Sequence, residues 1–147
     1  MARSFSSRTG VPMQRNPISV NDTSSSLEYA ELALRVIAMP AFANPHGDMF
    51  GGWLVSQMDL AGGAVATRLA KGRVVTVAIT TITFKRPVFV GDEISCYTDI
   101  LKIGRTSMTL KVRSLARRGH RDEKMEVADG IFTYVAVDST TKPRPFK

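Results

Sequence analysis

The sequence predicts an α+β domain in which a curved antiparallel five-stranded sheet wraps around one long central helix. Three observations lead there. One apolar stretch free of proline, Phe50–Ala70, reads as a helix, while the other periodic segments alternate apolar and polar residues as strands do. The helix contains Gly51, Gly52, Gly62 and Gly63. Each costs about 1 kcal/mol relative to Ala in a helix interior, so tertiary contacts must offset them. Its apolar character covers most faces, which marks a helix enclosed by other structure and not one laid flat on an open sheet.

The elements follow in order. Residues 1–26 are rich in Ser, Arg and Asn, lack apolar periodicity and hold no acid before Asp22; they read as a flexible tail. A basic, Ser-rich start is also the composition of a transit peptide, although this one is not amphipathic, and no apolar run follows to make a secretory signal. The domain itself is placed at 27–140, with 141–147 as a C-terminal tail. Alternation over Leu32–Ala38 gives a first strand, stopped at Pro40. A loop, Ala41–Asp48, leads into the helix, where Trp53, Leu54, Met58, Leu60 and Val65 supply buried area and Gly72 marks the C-terminal stop. The strand Val75–Phe84 slips phase at Thr80–Thr81, the signature of a β-bulge. Gly91-Asp92 separates it from Ile94–Ile103, and Gly104-Arg105 turns into a strand through Met108, Leu110 and Val112. A charged connection, Arg117–Lys124, precedes the last strand, Val127–Val137, interrupted at Gly130.

At 147 residues and 44% hydrophobic, the chain accommodates one core and hardly two domains. Cys96 is the sole cysteine, which excludes an internal disulfide and a Cys-based zinc site. No apolar run reaches membrane-spanning length, so a cytoplasmic protein without membrane contact is expected. Twenty Lys and Arg against thirteen Asp and Glu leave a net charge of +7. Lys102–Arg121 holds seven bases and no acid, so the whole excess sits on one turn, one strand and its exit. Such a field suits an anionic partner: nucleic acid, acidic lipid or a phosphorylated small molecule. With only 7% aromatic residues, stacking platforms for nucleic acid are scarce.

Two histidines, one cysteine and no paired-His spacing leave no metal site to propose. Ser56 lacks a nucleophile-elbow context, and neither a Rossmann fingerprint nor a Walker A sequence occurs. What remains is Asn44-Pro-His-Gly-Asp-Met-Phe-Gly-Gly-Trp53. Asp48 falls just before the helix, as an N-terminal cap or as a general base. Gly51 and Gly52 place bare amides at the positive end of the helix dipole, where an oxyanion could be held. Asp59 inside the apolar helix is either structural or a base supplied by the helix, since a buried carboxylate needs a partner. His46 is a loop hydrogen-bonder or a catalyst, and Gln57 a ligand for a substrate carbonyl or a helix contact. Lys85-Arg86-Pro87 and Gly104-Arg105-Thr106-Ser107 could grip phosphates or remain solvated.

These residues resemble a known family. Ala38-Met-Pro40, the run Asn44–Asp59, Gly72-Arg-Val-Val-Thr-Val77, Phe84-Lys-Arg-Pro-Val-Phe-Val-Gly-Asp92 and Phe132–Asp138 are similar to the short acyl-CoA thioesterases of the YciA type. The resemblance runs from about Leu34 to Asp138. It implies a hotdog fold, a dimer with two sites at its interface, and a trimer of dimers. It also implies hydrolysis of acyl-CoA thioesters to free acid and CoA, with no metal or organic cofactor. By position, the catalytic carboxylate is Asp48, the loop asparagine Asn44, and the helix-start glycines Gly51 and Gly52. Lys85, Arg86 and Arg105, with Thr106 and Ser107, then fall where CoA phosphates are expected, and Gln57 or Asp59 can approach a partner's site. Pro45, His46 and a short Arg117–Lys124 connection depart from the pattern and bear on acyl-chain preference. Asp48 would activate water or attack directly to form an anhydride. A thiolate of pKa about 8.5 leaves without a strong acid. The rival readings are an enoyl-thioester hydratase or dehydratase using His46 and Asp59, and a non-catalytic CoA-binding domain.

Overall fold

A computed structural model describes residues 30–147, so the tail assigned to residues 1–26 lies outside the described residues. The chain runs β1 (Glu31–Ile37), a 3-10 turn (Pro40–Phe42), α1 (Gly51–Ala70), β2 (Val74–Phe84), β3 (Glu93–Ile103), β4 (Ser107–Arg117) and β5 (Met125–Ala136). The strands form one antiparallel sheet in the order β1-β3-β4-β5-β2. α1 touches all five strands, as a helix wrapped by a sheet must. No helix among the described residues is long and apolar enough to cross a membrane.

Period-two alternation sets which side of the sheet faces α1. On β4, Met108, Leu110, Val112 and Ser114 are buried, while Thr109, Lys111 and Arg113 between them are only partly so. Phe132 and Tyr134 of β5 and Ile94 of β3 complete the layer against Leu54, Met58 and Val65 of α1. Burying side chains of this size is worth about 1.5–3 kcal/mol each, which offsets the helix glycines. The predicted slip in β2 is present as a register shift against β5 between Ile79 and Thr81, with a second between Thr76 and Ala78.

Four expectations are corrected. β5 is not interrupted at Gly130; the strand runs through it, and a Cβ there would lie 2.9 Å from the Thr81 carbonyl oxygen, so glycine permits close approach of β2. The left-handed residue at the helix end is Lys71 (φ 53°) and not Gly72, whose N–H closes the end on the Thr67 carbonyl at 3.2 Å. Gly72 also leaves room for Arg144, whose guanidinium donates to the Ala70 carbonyl at 2.9 Å and to the Val137 carbonyl at 3.1 Å. Segment 141–147 thus supplies a cationic cap to one orphaned carbonyl, that of Ala70, at the negative end of α1. Leu60 is 60% exposed and adds little buried area. Together with Gly52, Ser56 and Ala64 it forms a stripe along α1 that the described residues leave uncovered, so the helix is enclosed on its sheet side only.

Candidate functional site

The loop between β1 and α1 is organised by Asn44. Its Oδ1 accepts the amides of His46 at 2.9 Å and Asp48 at 3.0 Å, an Asx turn. Its own amide donates to the Asp48 carbonyl at 2.7 Å, and its carbonyl accepts Gly47 N–H at 3.0 Å. Gly47 adopts φ +91°, a left-handed turn that L side chains rarely take. Asp48 is thereby fixed through its backbone, while its half-buried carboxylate has no hydrogen-bond partner among the described residues. It does not cap α1. The N-cap is Phe50, extended and without a side-chain cap bond, because Met49 N–H pairs with the Val88 carbonyl at 2.8 Å and carries the chain past Asp48 before the helix begins.

With no side-chain cap, the first helical amides stay open. Trp53 N–H is taken by the Phe50 carbonyl at 3.0 Å, whereas Gly51 and Gly52 N–H meet no acceptor among the described residues. The two glycines have different reasons. A Cβ on Gly51 would come within 3.1 Å of the Phe84 ring, so a side chain there would crowd the ring. A Cβ on Gly52 would meet nothing within 4 Å, so the space above it is free for a ligand. Beside them opens a cavity of about 330 Å³, with Met49, Leu54, Phe84 and Val88 as apolar lining and Lys85 and Arg86 at its polar side.

The basic residues divide. Lys85 Nζ lies 3.1 Å from Glu126 Oε2 and 3.4 Å from Asp129 Oδ2, and Arg86 donates to the Glu126 carbonyl at 2.7 Å. Both cations expected to grip phosphate are therefore tied to β5. Arg105, Thr106 and Ser107 lie at the opposite end of the sheet. Eleven-residue β3 separates that turn from the Asp92–Asp48 end by roughly 33 Å of strand, so one protomer does not bring the two groups together. The concentrated positive field over Lys102–Arg121 is also diluted. Arg117 holds Glu93 at 2.8 Å, Arg118 holds Asp92 at 2.8 Å, and Lys111 lies 4.0 Å from Asp129. Antiparallel register places Glu93 directly opposite Arg117, a pairing that linear charge counting does not reveal.

Asp59 is engaged through one oxygen of its carboxylate. Its Oδ1 accepts Thr76 Oγ1–H at 2.9 Å, and Tyr134 OH lies 2.9 Å from Oδ1 and 3.0 Å from the Asp59 carbonyl oxygen. Burial, reinforced by the Asp59 charge, raises the Tyr134 phenol far above its ordinary pKa. Gly62 makes this bond possible, since a Cβ there would stand 2.4 Å from Tyr134 OH. Asp59 lies eight residues into α1, about 12 Å along its axis, so the chain does not join it to His46 at the helix entrance. His46 is exposed, its amide bonded to Asn44. Gln57 reaches only Ser56 Oγ, at 3.5 Å, the edge of a hydrogen bond.

Sequence reading missed Phe84, which packs over Gly51 and lines the cavity. The signal was an aromatic closing a strand immediately before Lys85-Arg86. It also missed Glu126 and Asp129, which reach Lys85 only through the β2–β5 register.

A sheet folded around one helix, with a carboxylate that is unpartnered among the described residues just before the helix start, gives a thioesterase-like architecture. Residues 46–121 match the family model of the thioesterase superfamily, and the chain belongs to that family. It is 49% identical over 129 residues to an uncharacterized acyl-CoA thioester hydrolase of Zymomonas mobilis, covering 87% of each chain. It is 43% identical over 126 residues to the acyl-CoA thioester hydrolase YciA of Salmonella typhimurium, covering 84% of this chain and 95% of the relative. It is also similar to a hexameric hotdog fold thioesterase of Campylobacter jejuni, at a TM-score of 0.74 and 40% identity, over 80% of this chain and 90% of that one. The five-stranded sheet around α1 is the hotdog fold.

Proposed function

We propose that this enzyme hydrolyses acyl-CoA thioesters to free CoA and a carboxylic acid, with Asp48 as the catalytic carboxylate. One observation carries the reading: among the described residues, Asp48 offers a carboxylate without a hydrogen-bond partner just before the unused amides of Gly51 and Gly52 at the positive end of α1. Asp48 takes a proton from water as the water oxygen adds to the thioester carbonyl, or Asp48 adds directly and the anhydride left after the thiolate departs is hydrolysed by water to the free acid. Gly52 N–H first and Gly51 N–H second receive the oxyanion as the carbonyl becomes tetrahedral. Collapse expels the thiolate, whose pKa of about 8.5 makes it a good leaving group without a strong acid. The reaction calls for no metal or organic cofactor. Asn44 holds the loop in shape and is a positioning residue for Asp48.

The site is completed by a second copy. The outer edge of β2 pairs with no strand among the described residues, and Val77 and Ile79 on it are exposed, as is Leu60 on α1. A long apolar edge of this kind invites strand pairing. A partner running antiparallel along β2 covers it and brings the partner's Arg105, Thr106 and Ser107 turn to the end of the sheet that holds Asp48, giving two sites per dimer. Those residues then meet the CoA phosphates, with Lys85 and Arg86 held by Glu126 on the near side. Gln57, and Asp59 through the oxygen that Thr76 and Tyr134 do not use, are the helix groups that can face the partner's site. A trimer of dimers matches the hexamer of the Campylobacter relative.

Free-thiol release from a panel of acyl-CoAs tests the reading. Cys96 is 0% exposed and its thiol is pushed up to about 11 by burial, so it adds no background while the protein is folded. Asp48→Asn is expected to fold and to lose about 10²–10⁴ in turnover, the usual contribution of a general base. Enoyl-CoA formation without thiol release would instead support the His46–Asp59 hydratase, and CoA binding without turnover a non-catalytic domain; either overturns this reading.

A further inference from the structure

We propose that the pair formed by buried Asp92 and partly exposed Arg118 is a positioning device for the Asp48 loop, acting through the 87–92 turn. The inference rests on the reading of Asp48 as the catalytic carboxylate. Gly91-Asp92 looks in the sequence like a strand separator, but Asp92 is 1% exposed, an unusual place for a carboxylate. Arg118, at the exit of β4, grips it as a fork: Nε donates to Oδ1 at 2.9 Å and Nη2 to Oδ2 at 2.8 Å. Asp92 Oδ2 also accepts Phe89 N–H at 3.0 Å. The same guanidinium lies 4.6 Å from the centroid of the Phe89 ring and reaches the Pro87 carbonyl at 3.3 Å. One side chain therefore touches the turn at Pro87, Phe89 and Asp92 together.

The opposite side of that turn carries the Asp48 loop. Asp48 and Phe89 form an antiparallel bridge. Met49 N–H donates to the Val88 carbonyl at 2.8 Å, and Val90 N–H to the Gly47 carbonyl at 3.3 Å. Asp48 is thus flanked before and after by backbone bonds to a turn whose shape Arg118 fixes. Asn44 braces the loop from within, and Arg118 braces it from the sheet. An ion pair with one buried member is not required for stability, because apolar packing of similar volume often serves as well. A bidentate fork does supply direction, and direction is what a reacting carboxylate needs.

The test compares full-chain wild type, Arg118→Gln, Arg118→Lys and Asp48→Asn well below their unfolding temperatures. It reads kcat and KM for acyl-CoA hydrolysis and hydrogen exchange at the amides of Met49 and Val90. Arg118→Gln is expected to lower kcat about tenfold or more with KM changed less than about threefold, since misplacing a reacting group by about 1 Å costs up to about 10²-fold. Met49 and Val90 amides should exchange faster, and Arg118→Lys should recover part of kcat by keeping one charged donor on Asp92. Wild-type kcat and exchange in the folded Arg118 variants, with only a lower melting temperature, overturns the proposal. If Arg118→Gln does not fold, Arg118→Lys carries the test on the same criteria: reduced kcat with faster exchange supports it, wild-type values overturn it. Wild-type turnover in Asp48→Asn is a separate failure, that of the reading of Asp48.

Discussion

Asp48 and Asp59 stand at opposite ends of one chemical choice. Asp59, inside α1, gives its carboxylate to Thr76 and Tyr134 and ties the helix to β2 and β5. Asp48, before α1, is held through backbone bonds to Asn44, and its carboxylate is left without a partner among the described residues. The glycines beside them repeat the contrast. Gly62 is filled by a Tyr134 hydroxyl that belongs to the fold, whereas Gly52 faces open space. A carboxylate bonded to side chains of neighbouring strands contributes to stability; one kept in place but unpaired among the described residues is available for chemistry.

The contrast can be broken first at the two glycines. Gly62→Ala drives a methyl into Tyr134 OH and prises it from Asp59, and overpacking of this kind costs about 1–3 kcal/mol, read as a lower denaturant midpoint. Gly52→Ala should leave stability level or raise it by less than about 0.5–1 kcal/mol, the gain for a helix interior, because Gly52 is the second residue of α1. It should nevertheless lower kcat, because the methyl occupies the space before the proposed oxyanion site. Equal stability changes at the two positions would erase the distinction.

A smaller effect sits on the sheet margin. The Arg117 guanidinium holds the Glu93 carboxyl below its ordinary value of 4.5, against a smaller opposing effect of burial. A depressed carboxyl contributes stability that is present above its unfolded-state pKa and is lost as pH falls through the folded value. Arg117→Gln should therefore lower the melting temperature slightly at pH 7 and flatten its decline below pH about 4.5. An unchanged acid limb would show that the pair does not couple to folding.

The sequence made some of this legible and hid the rest for a physical reason. Strand alternation through Met108, Leu110 and Val112 and the single helix reported the layers, because period and burial are local properties. Asn44, Asp48, Gly51 and Gly52 were readable as a group because the turn that assembles them is contiguous. What was hidden depends on register. Glu126 and Asp129 meet Lys85 only after two bulged strands are aligned, and Asp92 meets Arg118 across β3 and β4. The exposure of Leu60 was hidden for a different reason. Apolar periodicity says that a residue wants to be covered, and is silent on whether its own chain or a second copy does so.

The most direct measurement is kcat/KM for acyl-CoA hydrolysis and melting temperature on two variants, Asp48→Asn and Asp59→Asn, compared with wild type under one set of conditions. The account predicts that Asp48→Asn loses about 10²–10⁴ in kcat/KM at an unchanged melting temperature. Asp59→Asn is predicted to melt earlier but, where folded, to keep turnover within about tenfold of wild type, as expected for a group whose bonds stabilise the fold. An active Asp48→Asn beside a folded but inactive Asp59→Asn would contradict it.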